Sequence, residues 1–276
     1  SGQLNMDKDI AVIILAAGKS TRMKSDIPKV LYPICGRPML GYVLDLVRDL
    51  RIKKAIAVLG YKHAEVRKLL TSGIKVVIQK RLLGTADAVK QALPVLKNFK
   101  GTVLVLYADN PLLKKETVIK LLKHHIENKQ DATLLTAKLH KPKDYGRVLR
   151  DKYSSICQVV EEKDCDDFQK DIKEINTGII CFNKNSLASS LKYVRVNNRK
   201  KEYYLTDTIG IIYKKGGLID SVKIADINEA LGINSRQDLA KANAIMQKLI
   251  NEDLMQKGIT IIDPDSTFIS FGAKIG

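Results

Sequence analysis

The chain has 276 residues, 45% of them hydrophobic, and its 47 lysines and arginines against 30 acidic residues give a formal charge of +17. Such a chain can bury a large core without disulfides or structural metals. It has neither an apolar run of about 18 residues nor the basic-then-apolar start of a secretory signal, so no membrane association and a cytoplasmic location are expected.

Taken in chain order, Ser1 to Asn5 read as an appended leader before Met6, and Ile10 to Leu15 is the first short apolar run. Ala55 to Leu59, Val76 to Gln79 and Val103 to Tyr107 repeat that character, the pattern of strands buried on both faces. Helical stretches separate them: Met39 to Leu50 behind Pro38 at the first helical position, Ala64 to Leu70, Thr85 to Leu93 and Glu116 to Asn128. This alternation predicts an α/β fold, a Rossmann-like open, mostly parallel sheet with helices on both faces. After Ala132 to Ala137 the segment Tyr145 to Phe182 breaks into short alternating pieces with turn residues, which predicts antiparallel strands over one end of the sheet. A helix from Ser235 to Lys257 closes at Gly258, and no linker or repeat divides this body.

The positive charge suits a polyanionic partner. Its lysines are dispersed in pairs such as Lys53-Lys54, Lys114-Lys115, Lys200-Lys201 and Lys214-Lys215, Trp is absent and aromatics make up 5%, so a nucleic-acid surface is not expected and the charge reads chiefly as a solvated, lysine-rich surface. Cys35, Cys157, Cys165 and Cys181 form no C-x-x-C pair and read as reduced, mostly buried thiols.

The stretch I-I-L-A-A-G-K-S-T-R-M-K-S-D-I-P-K-V-L, Ile13 to Leu31, carries the first chemical signal. Ligands bind beyond the carboxyl ends of parallel strands, and the small residues Ala16, Ala17 and Gly18 let backbone N–H groups approach an anion or a flat base there. Arg22 offers a fork of donors, and Lys29 a compact charge behind Pro28. Two such cations facing a phosphate site repel each other, so neither is expected to contribute to folding. On residue types alone, Gly18 reads equally well as a plain turn and the cations as surface. Likewise Asp109 reads as a cap of the turn before Pro111, and Glu161 as one solvated charge in E-E-K-D.

Residues 15 to 31 resemble the signature of the sugar-1-phosphate nucleotidyltransferases, most closely the N-acetylglucosamine-1-phosphate uridyltransferase branch that supplies peptidoglycan precursors. Further ordered matches are Q-K-R-L-L-G-T-A (79 to 86), Y-A-D-N-P-L (107 to 112), Y-G-R-V (145 to 148), V-V-E-E-K-D (159 to 164), E-I-N-T-G-I (174 to 179), E-Y-Y-L-T-D (202 to 207) and G-I-N-S-R (232 to 236). The resemblance implies the nucleotide-diphospho-sugar transferase fold over 6 to 262, with the antiparallel region on the sugar side. It implies an enzyme that takes UTP and N-acetylglucosamine 1-phosphate. Arg22 and Lys29 would be catalytic, Asp109 and Asn234 would hold Mg2+, and Leu15, Ala16, Ala17, Gly18, Gln79, Gly84 and Thr85 would bind the nucleotide. Tyr107, Gly146, Glu161 and Asn176 would line the sugar.

The chain departs from that pattern at Ser20, Asp87, Ala108 and Asn110. The Ala108 methyl is expected to narrow the sugar pocket, so the same chemistry on a different sugar 1-phosphate stays open, as does a catalytically silent sugar-nucleotide sensor. Phe268 to Gly276 resembles the first coil of the left-handed β-helix that, in the bifunctional members, carries the acetyltransferase and the trimer contacts. The expected boundary is at 263, with the β-helix truncated and a trimer expected only where that helix is complete.

Overall fold

The computed structural model describes residues 10–19, 21–196 and 198–275. Ser1 to Asn5, Met6, Ser20 and Gly276 lie outside the described residues.

Strand β1 (Ile10–Ala16) is buried at every position, which only a central strand covered on both faces permits. A two-residue hairpin, β2 (Pro33–Ile34) and β3 (Arg37–Pro38), leads into α1 (Met39–Asp49), and Pro38 stands just before that helix as its cap rather than as its first residue. Then follow β4 (Lys54–Leu59), the short α2 (His63–Arg67), β5 (Ile74–Ile78), α3 (Thr85–Ala92), β6 (Thr102–Tyr107) and α4 (Lys115–Glu127). Next come β7 (Ala132–Lys138), the hairpin β8 (Gly146–Arg150) and β9 (Ile156–Val160), α5 (Asp167–Lys170) and β10 (Glu174–Asn183). The chain then runs through α6 (Lys184–Ser190), α7 (Asp207–Lys214), β11 (Ile219–Lys223) and α8 (Arg236–Gln256).

Nine strands make one sheet with the path β11-β7-β10-β6-β1-β4-β5, and β8 and β9 extend it from β10. The pairs β1 with β4, β1 with β6, β4 with β5 and β11 with β7 are parallel, as the α/β reading requires. The antiparallel region is larger than its sequence suggests. Ile175 and Asn176 pair with β8 as well as with β7 over the end of the sheet, but Ile180 to Asn183 run antiparallel between β6 and β7 in its middle. The cause is burial: Ile179, Ile180, Cys181 and Phe182 are nearly inaccessible, and an interior position covers both faces of such a run. Each fully buried aliphatic of this kind contributes roughly 1.5–3 kcal/mol.

One core cluster packs α1 and α4 on one face of the sheet, and a second packs α3 and α7 on the other. A third joins Met23, Tyr32, Ile34, Met39 and Tyr42 to Leu112, Ile233, Ala242 and Met246. It seats α8 beside the loop that follows β1. Of the cysteines, Cys165 and Cys181 are buried, whereas Cys35 and Cys157 are only partly so. Beyond Gly258 the chain folds back in turns: Asn251 Nδ2 donates to the carbonyls of Pro264 and Thr267, and Phe271 N donates to Cys35 O. The Phe271 ring stands edge-on to Tyr42, 5.1 Å between centroids, with the Arg37 guanidinium 4.9 Å from Phe271.

Candidate active site

The parallel order brings the carboxyl ends of β1, β4 and β6 together, and the loop after β1 leaves from among them. Leu15, Ala16 and Ala17 are buried, and the Leu15 carbonyl is taken by Ala108 N–H, so the loop opens to solvent only at Gly18. A residue without a motif supports this turn from below. A Cβ on Gly60 would lie 2.6 Å from the Ala17 carbonyl, which itself accepts from Tyr61 N–H. Arg22 sits in the single turn Thr21–Met23, exposed, while its neighbour Met23 is fully buried and anchors the turn. Arg236 ties this loop to the start of α8, donating to Met23 O at 3.3 Å and to the Tyr32 hydroxyl at 3.0 Å.

Lys29 is buried, in the turn Lys29–Leu31 behind Pro28. Its Nζ forms an ion pair with Asp109 Oδ2 and donates to Asn234 Oδ1 at 2.9 Å. Three segments far apart in the chain thus meet at one ammonium. Asp109 follows β6, and its carbonyl accepts from Ile233 N–H at 3.0 Å, which aligns it with the segment carrying Asn234. Asn234 is itself oriented: Nδ2 donates to Gly232 O, and the backbone N–H donates to Asp238, whose carboxylate also closes a capping box with Ser235 at the start of α8. The expectation that Lys29 is irrelevant to folding does not hold. Lys29→Ala would leave Asp109, with 17% of its side chain exposed, without its counter-charge. A loss of about 3 kcal/mol, read as a lowered Tm, is the expected result.

Among the described residues no group of three or more His, Cys, Asp or Glu side chains could hold a metal. One carboxylate and one amide oxygen nevertheless fit a hard ion that keeps waters and takes the rest of its shell from substrate phosphates.

Opposite this cluster, Gln79 follows β5 and is 4% exposed. Its Nε2 donates to Gly84 O at 3.0 Å and to Asp87 Oδ2 at 2.7 Å, so both amide hydrogens are engaged and Oε1 remains as an acceptor. Gly84 caps α3 with φ +112°, and a Cβ there would stand 2.5 Å from Tyr203 O and 2.7 Å from Tyr203 N. Only glycine fits. Gly84→Ala is expected to destabilise the chain by about 1–3 kcal/mol through this positive φ, and by more where the backbone must move. Thermal unfolding measures it. Thr85 Oγ1 accepts from Leu205 N–H, fixing the same corner to the segment before α7.

The residues expected around the sugar also converge. Gly146 and Asn176 are cross-strand partners, a Cβ on Gly146 would lie 3.6 Å from Glu161 Oε2, and Tyr107 packs its ring on Gly178. Asn176 Oδ1 is buried without a partner among the described residues, an acceptor left for a ligand. Burial pushes the Tyr107 hydroxyl well up, reinforced by the nearby charges of Glu161 and Asp109. The Glu161 carboxyl is also raised by burial, an effect moderated by the Thr206 hydroxyl that donates to it at 2.9 Å. Ala108 departs from its expected role. Its methyl is fully buried in the core cluster with Leu106, Leu113 and Ala230, just past the end of β6, so it faces the core and not the Tyr107, Glu161 and Asn176 side chains.

Thr206 and Asp207 carry no motif of their own; only their place in E-Y-Y-L-T-D points to them. Burial, then the charges of Glu161 and Asp164, raise Asp207 to about 6 from 3.8. Between those values the folded chain holds a proton that the unfolded chain has lost, so stability falls as pH rises from about 4 to about 6. Asp207→Asn is expected to flatten the Tm-against-pH curve in that window, leaving a residual slope from Glu161.

A family model described as the MobA-like NTP transferase domain matches residues 12–166. The bifunctional protein GlmU of Alkaliphilus metalliredigens is 43% identical over 267 residues, 97% of this chain and 58% of the relative. Those of Clostridioides difficile, 43% identical over 96% of this chain and 57% of the relative, and of Pelotomaculum thermopropionicum, 44% over 97% and 59%, are similar to the same degree. The chain therefore spans somewhat over half the length of the curated relatives it matches. With the matched segment running from β1 through the loop that follows it, Lys29, Gln79, Asp109 and Glu161, the chain belongs to the family of MobA-like NTP transferase domains.

Proposed function

We propose that this chain catalyses uridylyl transfer from UTP to N-acetylglucosamine 1-phosphate, giving UDP-N-acetylglucosamine and pyrophosphate. The observation that carries it is the meeting of Lys29, Asp109 and Asn234 near Tyr107, Glu161, Gly146 and Asn176, which neighbour one another. The likeness over nearly the whole chain to proteins named bifunctional protein GlmU, of which this chain covers 57–59%, supports it.

In this reaction an oxygen of the sugar phosphate attacks the α-phosphorus of UTP in line and pyrophosphate leaves. Little covalent chemistry falls to the protein, and positioning with charge compensation does most of the work. Leu15 to Gly18, Gln79, Gly84 and Thr85 hold the base. Asn176 and Glu161 bind the sugar hydroxyls and acetamide, and Tyr107 walls the space between sugar and phosphate. The exposed Arg22 reaches the leaving pyrophosphate, and Lys29 stabilises the transferring phosphate. Asp109 and Asn234 would hold Mg2+, which when bound neutralises charge on the phosphates. No helix among the described residues is long and apolar enough to cross a membrane, and with nucleotide triphosphate as substrate the proposed location is the cytoplasm.

A second reading, the same reaction on a different sugar 1-phosphate, draws on Asn110. It is 5% exposed beside Asp109 with Nδ2 unpartnered among the described residues. Pyrophosphate release with UTP across a panel of sugar 1-phosphates decides. N-acetylglucosamine 1-phosphate is expected to give the highest kcat/KM, and a tenfold preference for another sugar would establish the second reading instead.

A further inference from the structure

Lys29 contacts both oxygens that the proposed reaction requires for a divalent ion. Its Nζ reaches Asp109 Oδ2 across 80 positions of sequence and Asn234 Oδ1 across 205. The backbone beneath it is held from both sides. Pro28 fixes the entry, Leu31 N–H donates to Pro28 O at 2.9 Å, Tyr32 N–H donates to Lys29 O at 3.0 Å, and Arg236 grips the Tyr32 hydroxyl. The turn is therefore a fixed base, and the part free to relocate is the four-carbon stem with its point charge.

A divalent ion bound at about 2.1 Å from these oxygens and an ammonium hydrogen-bonded to the same oxygens exclude each other. In a site this sheltered from water the repulsion between them is poorly screened. The backbone at Asp109 is held by Ile233 N–H, and Asn234 is held through Gly232 O and Asp238, contacts that do not involve Lys29. The Asp109 backbone and the Asn234 amide stay in place when the ammonium leaves.

The geometry points to Lys29 as an internal stand-in for the divalent ion. Its ammonium neutralises Asp109 until the ion arrives, then gives up both oxygens and swings to the phosphates of the nucleotide. Metal entry and delivery of the catalytic cation are then one event. It follows that the ion binds weakly by itself, because it must displace the ammonium, and more tightly with nucleotide, because the phosphates receive the displaced charge. The two affinities are coupled and the coupling is reciprocal. This inference rests on the proposed assignment of Asp109 and Asn234 as the metal pair, and the test separates the two.

Mn2+ alone is titrated into the full chain without nucleotide and free Mn2+ is read by electron paramagnetic resonance. The variants are Lys29→Met, Asp109→Asn and the double variant. Lys29→Met is expected to bind Mn2+ at least tenfold more tightly than the parent chain, and Asp109→Asn to abolish binding in both backgrounds. Equal or weaker binding by Lys29→Met, with Asp109→Asn still inactive in binding, overturns the exchange and leaves the metal pair standing. Undiminished binding by Asp109→Asn overturns the metal pair and the exchange with it.

Because Lys29→Met loses an ion pair and its folding is at risk, a second measurement uses the unaltered chain. Acylation of Lys29 by a water-soluble amine-reactive ester is followed by peptide mass spectrometry. Lys29 is 8% exposed, and saturating Mn2+ is expected to raise its labelling rate severalfold as the ammonium is pushed out of its pocket. A labelling rate unchanged or lowered by bound Mn2+ overturns the exchange.

Discussion

Asp109→Asn is expected to lower turnover by about a thousandfold or more while the chain stays folded. The size follows from what the carboxylate is asked to do. A ligand that holds a divalent ion against the transferring phosphates contributes several kcal/mol of transition-state stabilisation, and each 1.4 kcal/mol is tenfold in rate. The amide keeps the shape and the Ile233-to-Asp109 backbone bond but loses the charge. Some stability goes as well, because Lys29 loses its counter-charge, so Tm should fall by several degrees without loss of the cooperative transition. Pyrophosphate release and thermal unfolding on the same preparation read both quantities. Turnover within threefold of the unaltered chain would remove Asp109 from the proposed mechanism.

The other large effect is base discrimination. The Gln79 amide is oriented unambiguously, since Gly84 O and the Asp87 carboxylate are both acceptors and must face Nε2. Oε1 is then the group left for a base, and it accepts. Uracil offers N3–H to such an acceptor, whereas the N3 of cytosine carries a lone pair and meets it unpaired. A buried mismatch of this kind can cost roughly a factor of 10⁴ in kcat/KM, so UTP should exceed CTP by that order. Purine triphosphates are too large for a floor made of Ala16, Ala17 and Gly18 and should fail on shape. Initial rates for the four nucleotides at equal subsaturating concentration test this, with Gln79→Ala expected to narrow the gap. Comparable turnover with CTP or GTP would mean that Gln79 does not read the base.

The parallel half of the fold is legible because β1, β4 and β6 are buried on both faces and read as unbroken Val, Ile, Leu and Ala runs. The α8 helix is legible for a different reason: it is long and closes at Gly258, and in the structure Ser235 and Asp238 form a capping box at its start. Strand β10 is only half legible. Its Asn-Thr-Gly centre reads as a turn, and in the structure a register shift does fall between Asn176 and Ile180, yet the strand runs on into the middle of the sheet. Helices α6 and α7 escape because they are short: α6 follows β10 without a turn signal, and α7 follows a long irregular segment after α6. At the site, motif likeness names candidate residues but not their pairings. Nothing in local sequence indicates that Lys29 neutralises Asp109, that Asp87 fixes the Gln79 amide, or that the Ala108 side chain turns into the core.

The antiparallel insertion of β10 between β6 and β7 also dictates an order of assembly. When β7 leaves the ribosome its neighbour in the finished sheet does not yet exist, and β6 presents an open row of backbone donors and acceptors along one side. Only when Glu174–Asn183 emerges can that side be sealed, and β7 and β11 then join through it. Until that moment the nascent chain carries an unprotected sheet edge, the feature through which strands of different molecules associate. A chain interrupted before Glu174 keeps β1, β4, β5 and β6 but exposes that edge permanently, so such fragments should collect as aggregates rather than as a smaller folded unit.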